Sequence, residues 1–433
     1  MFILYDLVFL IVAIVHLPVY LLRGKFHKGF LLRLGILPRD LKLAGPIWIH
    51  AVSLGEALMM RNLVAELRKG YPQKKFVLST VTATGNKIAN SIAQEGDLVT
   101  YLPLDFSFIV RAVINKIKPS LFIIAETEIW PNLISCLRRK NIPIAVVNGR
   151  ISDNSFKGYC LIKFILSPIL NKVSLFCAQT QRDAQRLVLL GVSSDKIKIT
   201  GNMKFDCQGR ADNVNNTLEL KQKLGLGSQE KLLVAASTHP GEEKIVLNIY
   251  QGLIRDFPGL RLLIAPRHPE RTRKIEEIVN KFGFQAQRLS QLSGEPVSQL
   301  SRHTGTPAHR HTVFILDTIG QLIDYYALAD IVFVGGSLVK KGGHNILEPA
   351  ALGKPVLFGP QMSNFRDIAE MFLKNQAGIL ARNTQELKSK IRELLDNPGF
   401  AAQFSQRAQA LILDNQGATQ RNLELIKELL SHQ

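Results

Sequence analysis

The sequence predicts an α/β protein built from two doubly wound lobes, and three observations support this. Its 433 residues are too many for one ordinary core and suggest two lobes of roughly 150–200 residues each. Short apolar runs alternate with amphipathic stretches, which is typical of a parallel sheet with helices on both faces. The alternation restarts after a polar stretch at residues 206–227. We therefore expect two separate cores.

In the first half, five apolar runs have the length of buried strands, and the amphipathic stretches between them have the spacing of helices. The predicted strands are 47–50, 75–79, 121–125, 144–147 and 175–178. The predicted helices are 57–69, 87–94, 108–117, 131–140 and 183–190. Together they define a first lobe at residues 36–206.

The second half repeats the pattern and defines a lobe at residues 228–401, joined to the first by a linker at 207–227. Its predicted strands are 232–236, 261–265, 331–334 and 355–358. Its predicted helices are 242–255, 270–282, 319–329, 346–352 and 365–374. Residues 290–312, rich in Ser, Gly, Pro and His, predict an irregular surface loop. Residues 402–433 predict a C-terminal helix that packs back on the first lobe.

Residues 1–35 predict a membrane anchor with a basic flank. Apart from Asp6 and His16, residues 2–22 are almost entirely apolar, and as a helix they would extend about 30 Å, the thickness of a bilayer core. Basic residues follow this run but do not precede it, so the positive-inside bias places the rest of the chain in the cytoplasm. A cleavable signal peptide needs a basic start and a small-residue cleavage site, and neither occurs here. Pro18 leaves open an in-plane interfacial helix.

The net charge of +19 indicates polyanionic partners, such as anionic lipid, phosphorylated substrates or nucleic acid, or else a soluble protein that is simply basic. Aromatic residues make up only 7% and form no basic–aromatic platform, so nucleic acid is not favoured. The cysteines lack the spacing of a zinc or redox site, which suggests reduced thiols in a reducing compartment. They are Cys136, Cys160, Cys177 and Cys207.

Candidate ligand residues in the second half follow the predicted strands. After strand 331–334 come the segments GGS (335–337) and GGHN (342–345), then a helix start with Glu348. Paired glycines let backbone N–H groups approach an anion, a helix start adds partial positive charge, and Glu348 could hold ribose hydroxyls. The alternative is that the glycines only shape turns. This pattern favours a nucleotide-phosphate site without a P-loop.

Two further segments follow strands in this lobe. RHPE (267–270) offers cations for a phosphate or a sugar carboxylate, but a solvated helix start explains it equally well. STHPGE (237–242) is similar, and the alternative there is that Thr238 or His239 caps the next helix.

In the first half, the carboxylate of Glu56 follows strand 47–50 and could take a proton from an attacking hydroxyl. Because Ser53 precedes it by three residues, the spacing alone favours a capping box. STVTATG (79–85) offers hydroxyls for a sugar or phosphate, or equally for helix initiation. ETEIW (126–130) supplies two carboxylates, of which we expect at most one to be functional. Segments 148–150 and 201–204 end with Arg150 and Lys204, cations suited to an anionic acceptor.

Metal motifs are missing from the sequence. It contains no Asp-x-Asp pair of the kind that holds a metal with a nucleotide diphosphate, no His-Glu-x-x-His and no clustered Cys/His pattern. The histidines are mostly isolated. The sequence thus predicts metal-independent chemistry and no cofactor.

Taken in order, these motifs resemble the Kdo (3-deoxy-D-manno-octulosonic acid) transferases of lipopolysaccharide biosynthesis over nearly the whole chain. The segments that carry the resemblance, besides the hydrophobic start, are HAVSLGE (50–56), STVTATG (79–85), YLPLD (101–105), ETEIWPN (126–132), GNMKFD (201–206), ASTHPGEE (236–243), PRHPER (266–271) and GGS…GGHNILEPAALGKPVLFGP (335–360). Departures are Met203 where Leu is commoner, NGR (148–150) where NAR is usual, and the loop at 290–312. None of them touches a proposed catalytic group.

The resemblance implies a GT-B fold that binds the acceptor on the first lobe and CMP-Kdo on the second. It implies that Glu56 is the general base, against the capping preference, and that Glu128 is also needed for activity. For CMP-Kdo it implies Arg267, His268, Pro269, Gly336, Ser337, Asn345 and Glu348. For the acceptor, it and the spacing together suggest Ser53, Gly55, Thr82, Thr84, Arg150 and Lys204.

The implied reaction is an inverting, metal-independent transfer of Kdo to a lipid A precursor (lipid IVA). The implied location is the inner membrane, with a single N-terminal anchor, anionic lipids as partners, and both lobes on the cytoplasmic face. The alternatives are a GT-B transferase that uses a UDP-sugar, such as a lipid A disaccharide synthase, and a nucleotide-sugar epimerase of the same fold. A non-catalytic lipopolysaccharide-binding protein is a third class.

Overall fold

The computed structural model describes residues 5–11, 14–15, 29–38, 40–206, 214–292 and 312–431. The chain divides into two compact units, one formed by Met1–Cys207 with Asn415–Gln433 and the other by Gln208–Asp414. Each unit contains a parallel sheet of seven strands. The predicted pair of doubly wound α/β lobes is confirmed.

The sheet of the first unit has the order β3-β2-β1-β4-β5-β6-β7. Its strands are β1 (Ile47–His50), β2 (Phe76–Thr80), β3 (Leu98–Tyr101), β4 (Leu121–Ala125), β5 (Ile144–Gly149), β6 (Leu175–Ala178) and β7 (Ile197–Ile199). Because β1 lies between β2 and β4, the chain changes direction across the sheet at β1 and β4. In doubly wound sheets, ligands bind at the carboxyl ends of the strands at this point.

The helices of the first unit cover both faces of the sheet. They are α1 (Phe30–Arg33), α2 (Leu54–Gly70), α3 (Ala83–Ile92), α4 (Ser107–Ile117), α5 (Pro131–Arg139), α6 (Asp153–Leu161), α7 (Lys163–Leu170) and α8 (Gln181–Leu189). Alternate strand residues point to opposite faces, so Trp48 joins one buried cluster whereas Ile47 and Ile49 join the other. Burial on both faces explains why the central strands are continuous apolar runs.

The second unit repeats this architecture with the order β10-β11-β9-β8-β12-β13-β14. Its strands are β8 (Lys231–Thr238), β9 (Leu260–Pro266), β10 (Gln285–Arg288), β11 (Thr312–Ile315), β12 (Ile331–Val334), β13 (Val356–Phe358) and β14 (Ile379–Leu380). Its helices are α9 (Val214–Leu224), α10 (Glu242–Leu253), α11 (Thr272–Lys281), α12 (Leu322–Leu328), α13 (Leu347–Ala351), α14 (Arg366–Lys374), α15 (Thr384–Asp396) and α16 (Pro398–Asn415). The change of direction lies between β8 and β12.

Two boundaries differ from the sequence prediction. The expected linker contains helix α9, which packs against α12 of the second unit. The expected single C-terminal helix is two helices, α16 and α17 (Ala418–Ser431), separated at Gly417 with its φ of +87°. Helix α17 packs on the first unit, against α2. Asp206 fixes its start by accepting N–H hydrogen bonds from Gly417 at 2.7 Å and from Thr419.

Most of the predicted membrane anchor lies outside the described residues. Within the anchor, the described residues 5–11 and 14–15 are helical. No helix within the described ranges has the length and apolar content that a bilayer crossing requires. Most of the predicted 290–312 loop also lies outside the described residues. Cys136, Cys160 and Cys177 are free thiols.

Candidate active site

Three carboxylates gather at the change of direction of the first sheet. Glu56 follows β1 at the start of α2, and Glu126 and Glu128 follow β4, the neighbouring strand. Glu126 has a φ of +57°, an unusual backbone conformation for a residue other than glycine. Its side chain forms an ion pair with Lys204, with 2.9 Å between the charged atoms. Thus β1 and β4 bring together the two predicted catalytic residues, Glu56 and Glu128. Lys204 reaches them through its ion pair with Glu126, the other carboxylate of ETEIW.

Glu56 forms the capping box that the spacing favoured. Its Oε2 accepts the Val52 N–H at 2.7 Å, its Oε1 accepts the Ser53 hydroxyl at 2.7 Å, and Ser53 caps α2. Burial raises the pKa of Glu56 above its usual value, with the Ser53 hydrogen bond opposing this and the charge of Glu126 adding to it. Each carboxylate oxygen keeps further acceptor capacity, so capping and proton abstraction are compatible.

Glu128 has the more strongly perturbed carboxyl of the pair. Burial, reinforced by the negative charges of Glu56 and then Glu126, raises the pKa of Glu128 to about 7. The carboxyl therefore exchanges its proton near neutral pH. Perturbed titratable groups at the carboxyl ends of strands are typical of active sites.

The remaining predicted acceptor residues lie along the same edge of the sheet. Thr82 caps α3 by accepting the Gly85 N–H at 3.1 Å, and its hydroxyl donates to Val52 O at 3.2 Å, next to Ser53. Thr84 and Gly55 are exposed in the first turns of α3 and α2. Arg150 follows β5, where its N–H donates to the Thr127 hydroxyl at 3.0 Å. The structure thus brings these predicted residues to one surface.

In the second unit, the turn after β12 differs from the prediction. The buried carboxylate of Glu242, at the start of α10, accepts N–H hydrogen bonds from Gly336 at 2.7 Å, Ser337 at 3.2 Å, Leu338 at 3.0 Å and His239 at 2.9 Å. The backbone donors expected to hold a nucleotide phosphate are therefore occupied by the protein itself. The phosphate cradle at this turn stays a prediction, and the contacts of Glu242 count against it.

Ser337 is also placed differently from the expectation. Its hydroxyl is fully buried, donates to Val334 O, and accepts the Gly359 N–H at 2.8 Å. It joins the ends of β12 and β13 and offers no free donor to a ligand. The helix that follows GGHN is also short, since α13 has only five residues.

Imidazoles gather beside the cations on the donor side instead. His239, His268 and His344 follow β8, β9 and β12, and the Nε2 atoms of His239 and His344 are 2.8 Å apart. The ring centroids of His239 and His268 are 5.7 Å apart. Burial, then the charge of Arg267, lowers the pKa of His344 to about 4. Burial, followed by the charges of His268 and Lys341, also lowers the pKa of His239. The histidines that looked isolated therefore form a cluster, in which His239 and His344 favour the neutral form.

Asn345 and Glu348 lie beside this cluster. The Asn345 side-chain amide donates to Glu348 Oε1 at 3.0 Å, and burial raises the pKa of Glu348, with that hydrogen bond and the charge of Arg267 opposing it. Pro269 opens a short 3-10 turn after His268. Within the described residues, no three His, Cys, Asp or Glu side chains are arranged to hold a metal ion.

Comparison with known proteins identifies the family. The family model for 3-deoxy-D-manno-octulosonic-acid transferase (kdotransferase) matches residues 28–207, and the model for glycosyl transferases group 1 matches residues 293–411. A 3-deoxy-D-manno-octulosonic acid transferase from Haemophilus influenzae is 36% identical over 89% of this chain and 87% of its own. This chain belongs to the Kdo transferase family. A Kdo transferase from Chlamydophila psittaci is 31% identical over 99% of this chain and 96% of its own.

A solved structure with a similar fold is the UDP-GlcNAc 2-epimerase from Neisseria meningitidis bound to UDP-GlcNAc. It is 14% identical, covers 88% of this chain and 100% of its own, and has a TM-score of 0.59. At this identity the similarity shows the GT-B-like fold alone. The chain is a glycosyltransferase of the Kdo transferase family, and it is built on two parallel sheets of seven strands.

Four residues of these two sites lay in the quoted segments but were not singled out by sequence reasoning: Glu126, Glu242, His239 and His344. Glu126 and Glu242 each lie in a quoted motif, but only the folded chain shows what their carboxylates contact. The signal for His344 was its position in GGHN, between a strand and a helix, where ligand-binding residues of such sheets commonly lie.

Proposed function

We propose that this chain transfers Kdo from CMP-Kdo to a primary glucosamine hydroxyl of a lipid A precursor (lipid IVA) in lipopolysaccharide core biosynthesis, with inversion and without a metal. The observation that carries the proposal is the pair Glu56 and Glu128 at the change of direction of the first sheet. Two neighbouring carboxyls with raised pKa values can divide ionised and protonated roles between them. Such a pair suits proton abstraction from a sugar hydroxyl.

Glu56 is the proposed general base. Its ionised carboxylate takes the proton of the acceptor hydroxyl while the hydroxyl oxygen forms a bond to the anomeric carbon of Kdo. The bond from that carbon to the CMP phosphate breaks, and CMP leaves with the electron pair. A proton on Glu128 limits repulsion and lets Glu56 stay ionised near neutral pH. One displacement by an activated hydroxyl inverts the anomeric centre.

The second unit is the proposed CMP-Kdo site. The anomeric carbon bears a carboxylate and the donor bears a phosphate, so the ligand is anionic at two points. Arg267 and Lys341 provide the positive charge that such a ligand needs, and the neutral imidazoles of His239 and His344 beside them can provide hydrogen-bond donors. These fixed groups can stabilise the departing phosphate, the role that a metal ion has in other transferases. The hydrogen-bonded pair of Asn345 and Glu348 is the proposed site for the ribose hydroxyls.

A lipid acceptor requires contact with a membrane, and the first unit has a suitable surface. Leu161 and Phe164, on α6 and α7, are 81% and 77% exposed, and Lys157 and Lys163 beside them are exposed as well. Apolar side chains among cations favour an anionic bilayer. Tyr159 lies on α6, and its pKa is raised by burial and then by the charge of Glu128. This surface therefore adjoins the carboxylate site. We place the protein at the inner membrane, on the cytoplasmic face.

The test is mass spectrometry of the product formed by purified protein from CMP-Kdo and tetraacyl lipid A precursor. The proposal predicts an acceptor that gains Kdo, release of CMP, and activity that persists in the presence of a chelator. Consumption of a UDP-sugar in place of CMP-Kdo would indicate the alternative transferase. Interconversion of a nucleotide sugar without an acceptor would indicate an epimerase.

A further inference from the structure

The amino-terminal helical residues are attached to the first unit through polar contacts. Asp6 Oδ1 accepts the Ser107 N–H at 3.0 Å and the Asn132 side-chain amide at 2.7 Å. It thereby caps α4, whose own N-cap residue, Phe106, provides no side-chain cap. The ring of Phe9 meets the ring of Phe106 edge-on at 5.0 Å. These contacts fix residues 5–9 on the first unit.

Residues at the other end of the predicted anchor contact the same unit. The Arg33 side chain donates to Leu102 O at 3.3 Å, and the Leu104 N–H donates to Arg33 O at 2.8 Å. Lys116 of α4 donates to Leu37 O at 2.9 Å. Both flanks of the anchor region therefore lie on one compact body.

This arrangement is incompatible with a single bilayer crossing. A crossing would put residues 5–9 and residues 33–37 on opposite sides of the membrane, whereas both contact the first unit. A second crossing back to the first unit is also excluded, because only residues 10–32 are available for it, and each helical crossing needs about 20 residues. Residues 5–9 and 33–37 therefore lie on the same side of the membrane.

The exposed side chains of the amino-terminal helix lie opposite its attached face. At 100° per residue, the exposed positions centre on the side of the helix opposite Asp6 and Phe9. They are Leu7, Val8, Ile11, Ile14 and Val15, each more than half exposed. Phe108, whose ring is 5.7 Å from that of Phe106, is 68% exposed and extends this apolar surface on α4.

A cation borders the surface, since Arg111 is exposed one helical turn after Phe108 on α4. An apolar helix face with a cation at its edge fits the boundary between headgroups and acyl chains of an anionic bilayer.

We infer that the helical residues 5–11 and 14–15 lie in the plane of an anionic membrane surface and hold the first unit on it, with residues 5–9 on the same side of the membrane as that unit. The inference rests on the proposed membrane location and replaces the single-span version of it. Insertion of the apolar face, rather than a crossing, then keeps the carboxylate site at the level of a lipid-borne acceptor.

The topology is tested with an epitope tag before Met1 and protease digestion of the full chain in cells. We expect the tag to resist protease in spheroplasts and to be digested in inverted inner-membrane vesicles. Digestion in spheroplasts would overturn the inference, because it would place the amino terminus across the membrane.

The contact surface is tested by cosedimentation with vesicles that contain phosphatidylglycerol. Ile11→Asp combined with Val15→Asp should weaken binding about tenfold or more, because two apolar side chains no longer insert. Leu218→Asp, at an exposed leucine of the second unit, is the matched control and should bind like the wild type. Equal binding by the double variant would contradict the inference. Both tests omit CMP-Kdo, so they are independent of whether the chain transfers Kdo.

Discussion

Glu128→Gln should stabilise the first unit at alkaline pH and change it little at acidic pH. Burial and the charges of Glu56 and Glu126 raise the pKa of Glu128 from 4.5 to about 7. Between these values, the folded chain keeps a proton on this carboxyl that the unfolded chain has released. The resulting stability is present at low pH and is lost as pH rises through 7. Glutamine cannot ionise, so the variant avoids that loss.

The magnitude follows from the size of the pKa change. One pKa unit corresponds to about 1.4 kcal/mol, so the full difference sets an upper limit of about 3 kcal/mol well above pH 7. Glu128 retains some contact with solvent, which screens the repulsion. We therefore expect a gain in the free energy of unfolding of about 1–2 kcal/mol at about pH 8.5.

The assay uses urea unfolding followed by tryptophan fluorescence. The two tryptophans of the chain, Trp48 and Trp130, both lie in the first unit, so the signal reports on that unit. The control is Glu428→Gln, an exposed glutamate on α17 of the same unit, which should show no such pH dependence. A stability difference between Glu128→Gln and the wild type that is the same at acidic and alkaline pH would refute the reasoning.

Three further predictions concern other contacts. Glu242→Gln should lower the stability of the second unit by about 2–4 kcal/mol in calorimetry, since an amide cannot accept all four N–H groups. Glu277→Gln, at an exposed glutamate of the same unit, should leave the stability unchanged. A Glu242→Gln variant as stable as the wild type would contradict the role of Glu242 in holding this turn. The wild type should lose stability as pH falls from 6.5 to 4, because the pKa of His344 is lowered to about 4. His344→Asn should flatten that slope, and an unchanged slope would count against it. Asp206→Ala should cost about 1–3 kcal/mol by tryptophan fluorescence, as the start of α17 loses its acceptor; an unaltered unfolding midpoint would disprove this.

The sequence predicts the central strands because they are buried on both faces. Runs such as those of β1 and β4 must be apolar throughout, which makes their bounds visible. The shorter or outer strands carry a weaker signal. β10 reads Gln-Ala-Gln-Arg and pairs on one side only, and β14 has two residues, so neither presents a continuous apolar run.

The site is predictable where chemistry follows a strand directly and unpredictable where it depends on distant contacts. Glu56 and Glu128 each follow a strand and lie within segments that resemble the family. In contrast, Glu242 occupies the turn at Gly336, a contact between residues 94 positions apart in the chain. The hydrogen bond that the Ser107 N–H donates to Asp6 at the start of α4 spans 101 positions. Local patterns cannot indicate such contacts, because they depend on which strands become neighbours.

The central claim is that Glu56 removes the proton from the acceptor hydroxyl, and the turnover of Glu56→Gln tests it most directly. Glutamine can still accept the Val52 N–H and complete the capping box, so the helix start should survive. We predict that kcat falls by about 10²–10⁴-fold while CMP affinity is unchanged. Glu66→Gln, later on the same helix, should turn over normally. Near-normal turnover by Glu56→Gln with CMP-Kdo and lipid A precursor would contradict the mechanism.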